Sequence, residues 1–233
     1  METSAFLELV RLVVGGDVGK VSRRLRAAPA LATMASPFGA TRQEATDFYM
    51  TEISHYLYAG DTALHIAAAA YSRPMAELLV SHGADCRARN RRGAEPLHYA
   101  SDANRSEPRA QADVIEYLTS IGADPNAADK SGVAPLHRAV RTRSLAAVRA
   151  LLDGGAKPRQ PNKSGSTPLH LAVQTTGKGG SGSDEARRQQ AEIIKLLLEH
   201  GARPTDKDTR GKPVDQAATS EWIRTLLRAG KAG

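Results

Sequence analysis

A single cysteine, Cys86, stands among the 233 residues. That excludes an intrachain disulfide framework and any Cys-x-x-Cys metal or redox site. Without an export signal it also points to a cytoplasmic protein. Aromatic residues are scarce, with six Tyr, three Phe and one Trp. No apolar run approaches the roughly eighteen residues of a membrane-spanning helix, so no membrane association is expected. The apolar stretch SAFLELVRLVVGG near the start is interrupted by Glu8 and Arg11 and lacks a cleavage site, so it does not read as a secretory signal. Neither G-x-x-x-x-G-K-[ST] nor G-x-S-x-G occurs. The glycine-rich GKGGSGS at 177–183 lacks both a preceding apolar strand and a following Lys-Ser/Thr. These absences close the common routes to catalysis, and the expectation is a non-enzyme with no cofactor and no metal.

What the sequence does have is repetition. GDTALHIAA (60–68), GAEPLHYAS (93–101), SGVAPLHRAV (131–140) and SGSTPLHLAV (164–173) are versions of one phrase. Their leucines, Leu64, Leu97, Leu136 and Leu169, fall 33, 39 and 33 residues apart. A second phrase keeps step: HGAD (82–85), IGADPN (121–126), GGAKPR (154–159) and HGARPT (200–205). Extra residues enter only between the first phrase and the second. A period near 33 with insertions confined to one place is the mark of a stacked repeat, and it overrides the one or two globular domains that length alone suggests.

The fourth copy shows the physics of one unit. Thr167 suits a helix N-cap and Pro168 the first helical position. Leu169, Ala172 and Val173 then make one apolar stripe. A second helix, AEIIKLLLEHG, turns Ile193, Ile194, Leu197 and Leu198 inward, and Gly201 ends it where a left-handed residue is common. A polar finger such as KPRQPNKSG (157–165) leads to the next unit. None of these units buries its apolar side alone, and stacking supplies the cover.

G-x-T-P-L-H-x-A, an apolar helix and then G-A-D-x-N together resemble the ankyrin repeat. Only 167–170 carries the full T-P-L-H; Ala63 replaces the proline in the first copy, and Glu95 and Ala134 replace the threonine in the second and third. The resemblance implies an all-α solenoid of helix-turn-helix units with β-turn fingers. On this reading 1–233 is a single domain: an N-terminal capping repeat at 3–30, an insertion at 32–59, repeats at 60–92, 93–131, 132–164 and 165–210, and a C-terminal cap at 211–230. It also gives His65, His98, His137 and His170 a structural role, as buried rings that hydrogen-bond backbone and, where present, the threonine hydroxyl. His82 and His200 belong to the repeat as well. Successive copies lie on the order of 10 Å apart at ordinary helix packing. Zinc needs its ligands about 2 Å from one ion, so the ladder cannot converge on a metal. Cys86 falls in a finger, where a reactive thiol remains an alternative to a neutral one.

Three insertions depart from the pattern. Residues 101–111 and 174–188 are expected to bulge between helices, with a mobile Gly/Ser tract in the second. Residues 32–59 hold half of the aromatics: Phe38, Phe48, Tyr49, Tyr56 and Tyr58. TRQEATDFYMTEI reads as a helix capped by Thr41, and EISHYLY as extended. This segment is either structural cover for the first repeat or a recognition loop, since Tyr and Phe make good interface anchors.

Charge supplies the last clue. The finger segments 86–94, 125–133, 158–166 and 204–212 carry +4, 0, +2 and +1, the whole of the formal net +7. Basic loops are often simply solvated. In the ankyrin family, however, fingers and the inner face of the first helices generally bind partners. The candidate binding residues are therefore Arg89, Arg91, Arg92, Lys130, Lys163, Arg210 and Lys212 on fingers, with Arg138, Arg141 and Tyr99 facing the groove from first helices. Clustered arginine favours carboxylates, so the expected partner is an acidic protein segment bound by a monomer. Nucleic acid is the alternative, weakened by fingers without aromatics for stacking and by Asp129, Asp206 and Asp208 among the cations.

Overall fold

The computed structural model describes residues 2–41, 45–102, 107–174 and 183–229. The chain falls into two compact units, Met1–Asp124 and Pro125–Gly233. The first holds α1 (Glu2–Val14), α2 (Val18–Ala27), a hairpin of β1 (Tyr49–Met50) and β2 (His55–Tyr56), α3 (Ala63–Ala69), α4 (Arg73–Ser81), α5 (Pro96–Ala100) and α6 (Pro108–Ser120). The second holds α7 (Pro135–Arg141), α8 (Leu145–Asp153), α9 (Pro168–Ala172), α10 (Asp184–Glu199), α11 (Val214–Ala217) and α12 (Glu221–Ala229). Both are stacks of helix-turn-helix units, with α3 packed on α1, α4 and α5 and α7 on α8 and α9.

The repeat phrases build these units as their chemistry requires. Extended Thr62 and Thr167 cap α3 and α9, and Leu64, Leu97, Leu136 and Leu169 are at most 1% exposed. Each second helix ends in a glycine with φ between +90° and +98°, at Gly83, Gly122, Gly155 and Gly201, a conformation that penalises any side chain. The apolar faces of second helices supply Met75, Leu79, Ile115 and Leu118 in one unit and Leu151, Ile194 and Leu197 in the other. Burying each such side chain stabilises by about 1.5–3 kcal/mol. α1 and α2 form the helix pair expected at the N-terminus, with Phe6, Leu9, Val13, Val21 and Leu25 fully buried. In the second unit α11 and α12 bury Val214, Ile223 and Leu227.

The insertions differ from expectation. Part of each becomes helix: α6 and α10 run 13 and 16 residues, against 9 each for α4 and α8. Ser183 caps α10, with Asp184 and Glu185 in its first turn, where the helix dipole favours acids. Buried Gln111 and Gln190 donate to the carbonyls of Ala100 and Ala172 at the ends of the preceding short helices, at 2.8 and 2.6 Å. Residues 103–106 and the Gly/Ser tract at 175–182 lie outside the described residues, as do 42–44.

The helix expected after Thr41 does not form over the described part of 41–53. Short 3-10 turns at 46–48 and 51–53 flank β1, and Ser54, left-handed at φ 50°, turns the chain into β2. Tyrosine favours the pleated pairing, and Tyr49 faces Tyr56 across the hairpin with ring centroids 4.8 Å apart. The segment is cover in part, since Ile53 and Leu57 are 1% and 3% exposed. It also presents rings, with Tyr49 41% exposed beside a cleft of about 400 Å³ that it shares with Leu7, Val10 and Val14 of α1. Phe38 and Phe48 pack together at 5.7 Å.

Candidate partner-binding surface

The histidines are joints. Nδ1 of His65, His98, His137 and His170 accepts the backbone N–H of Thr62, Glu95, Ala134 and Thr167 at 3.0–3.2 Å. Nδ1 is thereby an acceptor, so the proton sits on Nε2. Nε2 of His65 then donates to Ala94 O at 3.1 Å, His137 to Ser166 O at 3.1 Å and His170 to Lys212 O at 3.4 Å. These three rings each fasten their own helix start to the following finger. Burial lowers the pKa of His137, against the Ser166 carbonyl and the Asp129 charge, which raise it. An unfolded chain protonates near the ordinary histidine value of 6.5, and the folded site only at lower pH. The His137 contribution to stability is therefore complete above pH 6.5 and is lost as pH falls below it. Urea melts at pH 7 and about pH 5.5 check this: His137→Gln is weaker at pH 7 but flatter between the two than wild type. Cys86 is half-buried with its thiol pKa raised by that burial, which disfavours the reactive thiolate.

A shared finger motif escaped the sequence reading. Asn90, Asp129, Asn162 and Asp208 occupy one repeat position. The Oδ1 of each accepts the N–H groups two and four residues on: Arg92 and Ala94, Ser131 and Val133, Ser164 and Ser166, Arg210 and Lys212, all at 2.8–3.1 Å. The signal was present as Asn/Asp-x-x-Gly before every T-P-L-H-like phrase except the first. Asp129 and Asp208, counted above as interruptions of a basic stripe, are turn-makers. Burial pushes the Asp129 carboxyl up, but the Ser131 and Val133 N–H groups and Arg138 outweigh it and leave it lowered. Asp208 is lowered chiefly by the Lys212 N–H, with Arg210 assisting.

One residue further along, the fingers lock together. The N–H groups of Arg91, Lys163 and Thr209 donate to Ala59, Ser131 and Ser164 carbonyls at 2.8, 3.1 and 3.1 Å. The approach is close enough that a Cβ on Gly165, at φ +73°, would sit 2.5 Å from Thr209 N. At the pinned positions the Arg91 and Lys163 side chains are exposed, as is Lys130 at the equivalent finger position.

The proposed cations thus divide. Arg89 pairs with Glu95 at 3.0 Å, Arg138 with Asp129 at 3.2 Å and Arg210 with Asp208 at 3.1 Å. Arg138 does not face an open groove, because its side chain is only 12% exposed and braces the finger that leads into its helix. Tyr99, at the equivalent position, is also corrected. It is 1% exposed, and its hydroxyl donates to the Asp61 carboxylate at 2.8 Å and accepts from Asn90 Nδ2 at 3.0 Å. Arg91, Arg92, Lys130, Lys163 and Lys212 remain exposed with no ion pair among the described residues, and Arg141 is exposed on α7.

Asp61 is the residue sequence reasoning missed most completely. It is fully buried, and besides Tyr99 its carboxylate takes Asn90 Nδ2 at 2.9 Å and the Tyr58 N–H at 2.6 Å. It thereby ties the 32–59 insertion to the first finger. Arg92 stacks on the Tyr58 ring, its guanidinium carbon 4.7 Å from the centroid.

Among the described residues no helix is long and apolar enough to cross a membrane. No curated protein matches the chain. A family model for ankyrin repeats in three copies matches residues 39–129 and 108–208. Those spans take in the histidine joints, the left-handed glycines and the locked fingers, and with them as its framework this chain belongs to the ankyrin-repeat family.

Proposed function

We propose that this protein is a non-catalytic, cytoplasmic interaction scaffold that binds an acidic protein segment through its basic fingers. Ankyrin repeats generally serve as protein–protein interaction modules, and the positive charge on these fingers supports an acidic partner. One observation carries the reading: hydrogen bonds pin the backbone at the finger position of Arg91 and Lys163 and leave the cations exposed. A fixed backbone beneath a mobile cation suits a surface that attracts and orients a partner. Internal ion pairs already engage Arg89, Arg138 and Arg210, which interrupts the row of cations that a phosphate track would use.

Salt separates this from nucleic-acid binding. A capped (Glu-Leu)5 peptide and a single-stranded oligonucleotide are titrated between about 50 and 200 mM salt. The peptide is expected to bind more tightly at the upper end and to lose less than about tenfold, since apolar contacts do not respond to counterions. A tighter oligonucleotide complex, weakening by about a thousandfold over that range as several phosphate contacts would dictate, establishes the alternative.

A further inference from the structure

We propose that Arg92 and Tyr58, with Arg91 and Tyr56, form a two-part recognition pocket that takes an Asp or Glu side chain together with an adjacent apolar side chain of the partner. The proposal rests on the acidic-segment reading above and localises it to one place. The sequence offered basic fingers and an aromatic insertion as separate clues; the structure puts them in contact. Stacking on Tyr58 occupies a flat face of the Arg92 guanidinium and leaves its N–H edge available for a carboxylate. Arg91 reaches the other wall, its Nη2 only 3.4 Å from Ala40 O. The cleft they share is about 250 Å³ and is also lined by Ala40, Ala45, Tyr56 and Tyr58. This is below the roughly 300 Å³ at which small-molecule sites begin, so it suits one side chain better than a free ligand. Two arginines, Arg91 and Arg92, line it, so an anion is their electrostatic complement.

The walls are fixed before any partner arrives. Asp61 holds the Tyr58 N–H at 2.6 Å and the Asn90 side chain at 2.9 Å, while the Arg91 N–H bonds Ala59 O at 2.8 Å. Gly60, at φ +86°, permits this contact, since a Cβ there would meet Asn90 and Arg91 backbone at 2.8 Å. Such preorganisation lowers the ordering cost of binding. The Tyr56 and Tyr58 rings stand 6.2 Å apart and tilted by 47°, closing on one another. Successive bases need open stacking platforms, so the pocket favours a peptide over a nucleic acid.

The test is fluorescence anisotropy of labelled (Glu-Leu)5 and (Glu-Gly)5 peptides with the full chain. Wild type is expected to prefer (Glu-Leu)5. Arg92→Gln and Arg92→Lys should each weaken it about tenfold, the value of a lost charge-assisted fork. Tyr58→Leu should weaken it similarly and Tyr58→Phe should not. Lys163→Gln, on another finger, should change affinity less than threefold, about the scale of an exposed charge. Arg92 is exposed, so its variants stay folded even if Tyr58→Leu is weakened. If the Arg92 and Tyr58 variants bind like wild type while Lys163→Gln does not, the pocket is wrong and the acidic-segment reading survives. If wild type binds neither peptide, both fail. Displacement of (Glu-Leu)5 by an equimolar single-stranded oligonucleotide also overturns the pocket, in favour of nucleic acid.

Discussion

Asp61→Ala is expected to lower the unfolding free energy by about 2–4 kcal/mol in urea melts, because it leaves two buried donors and a partly buried one without their acceptor. Those donors are the Tyr58 N–H, the Asn90 amide and the Tyr99 hydroxyl, all between 2.6 and 2.9 Å from the carboxylate. Each stranded donor costs about 1–3 kcal/mol. Relief from burying a charge offsets part of the sum, which is why the expectation stops short of the largest total. Tyr99→Phe removes one donor to Asp61 and one of two acceptors for Asn90 Nδ2, and should cost only about 1–2 kcal/mol. The double variant should fall short of additivity, since both changes act on one network. A loss below about 1 kcal/mol for Asp61→Ala, or strict additivity, would mean that the insertion and the first finger are held by something else.

That network also shows where sequence reading stops. The four Leu-His phrases and the glycines closing the second helices act through local rules, a cap, a helical stripe and a left-handed turn, so each is visible within a few residues. Tyr99 and Arg138 occupy one repeat position and were both read as facing a groove. Both turn instead to the finger that precedes their own helix, to Asn90 and Asp129. A window around Tyr99 contains neither Asp61 nor His55, whose ring lies 4.4 Å from the Tyr99 ring. Burial there comes from an insertion more than forty residues away. The same holds for Tyr58 and Arg92, legible one by one as an aromatic and a cation but not as a stacked pair. The helix expected after Thr41 failed for another reason. Polar spacing over a short stretch does not separate a helix from a hairpin, and the Tyr49–Tyr56 pairing decides it. The Asn/Asp-x-x-Gly fingers were legible and overlooked, because Asp129 and Asp208 were counted as charges before they were considered as turn-makers.

The claim that exposed finger cations draw in an acidic partner is tested most directly by reversing them and timing association. Arg92, Lys130 and Lys163 are exposed and engage no carboxylate among the described residues, so replacing all three with Glu should leave the melt within about 1 kcal/mol of wild type. Each reversal subtracts two charges, so three take the formal net from +7 to +1. Steering by such charges changes association rates by about 10- to 1,000-fold, most strongly at low salt. Stopped-flow mixing with (Glu-Leu)5 at low ionic strength should therefore show association slowed at least about tenfold, with the difference shrinking as salt is added. An unchanged association rate in a triple variant that melts like wild type would contradict the account.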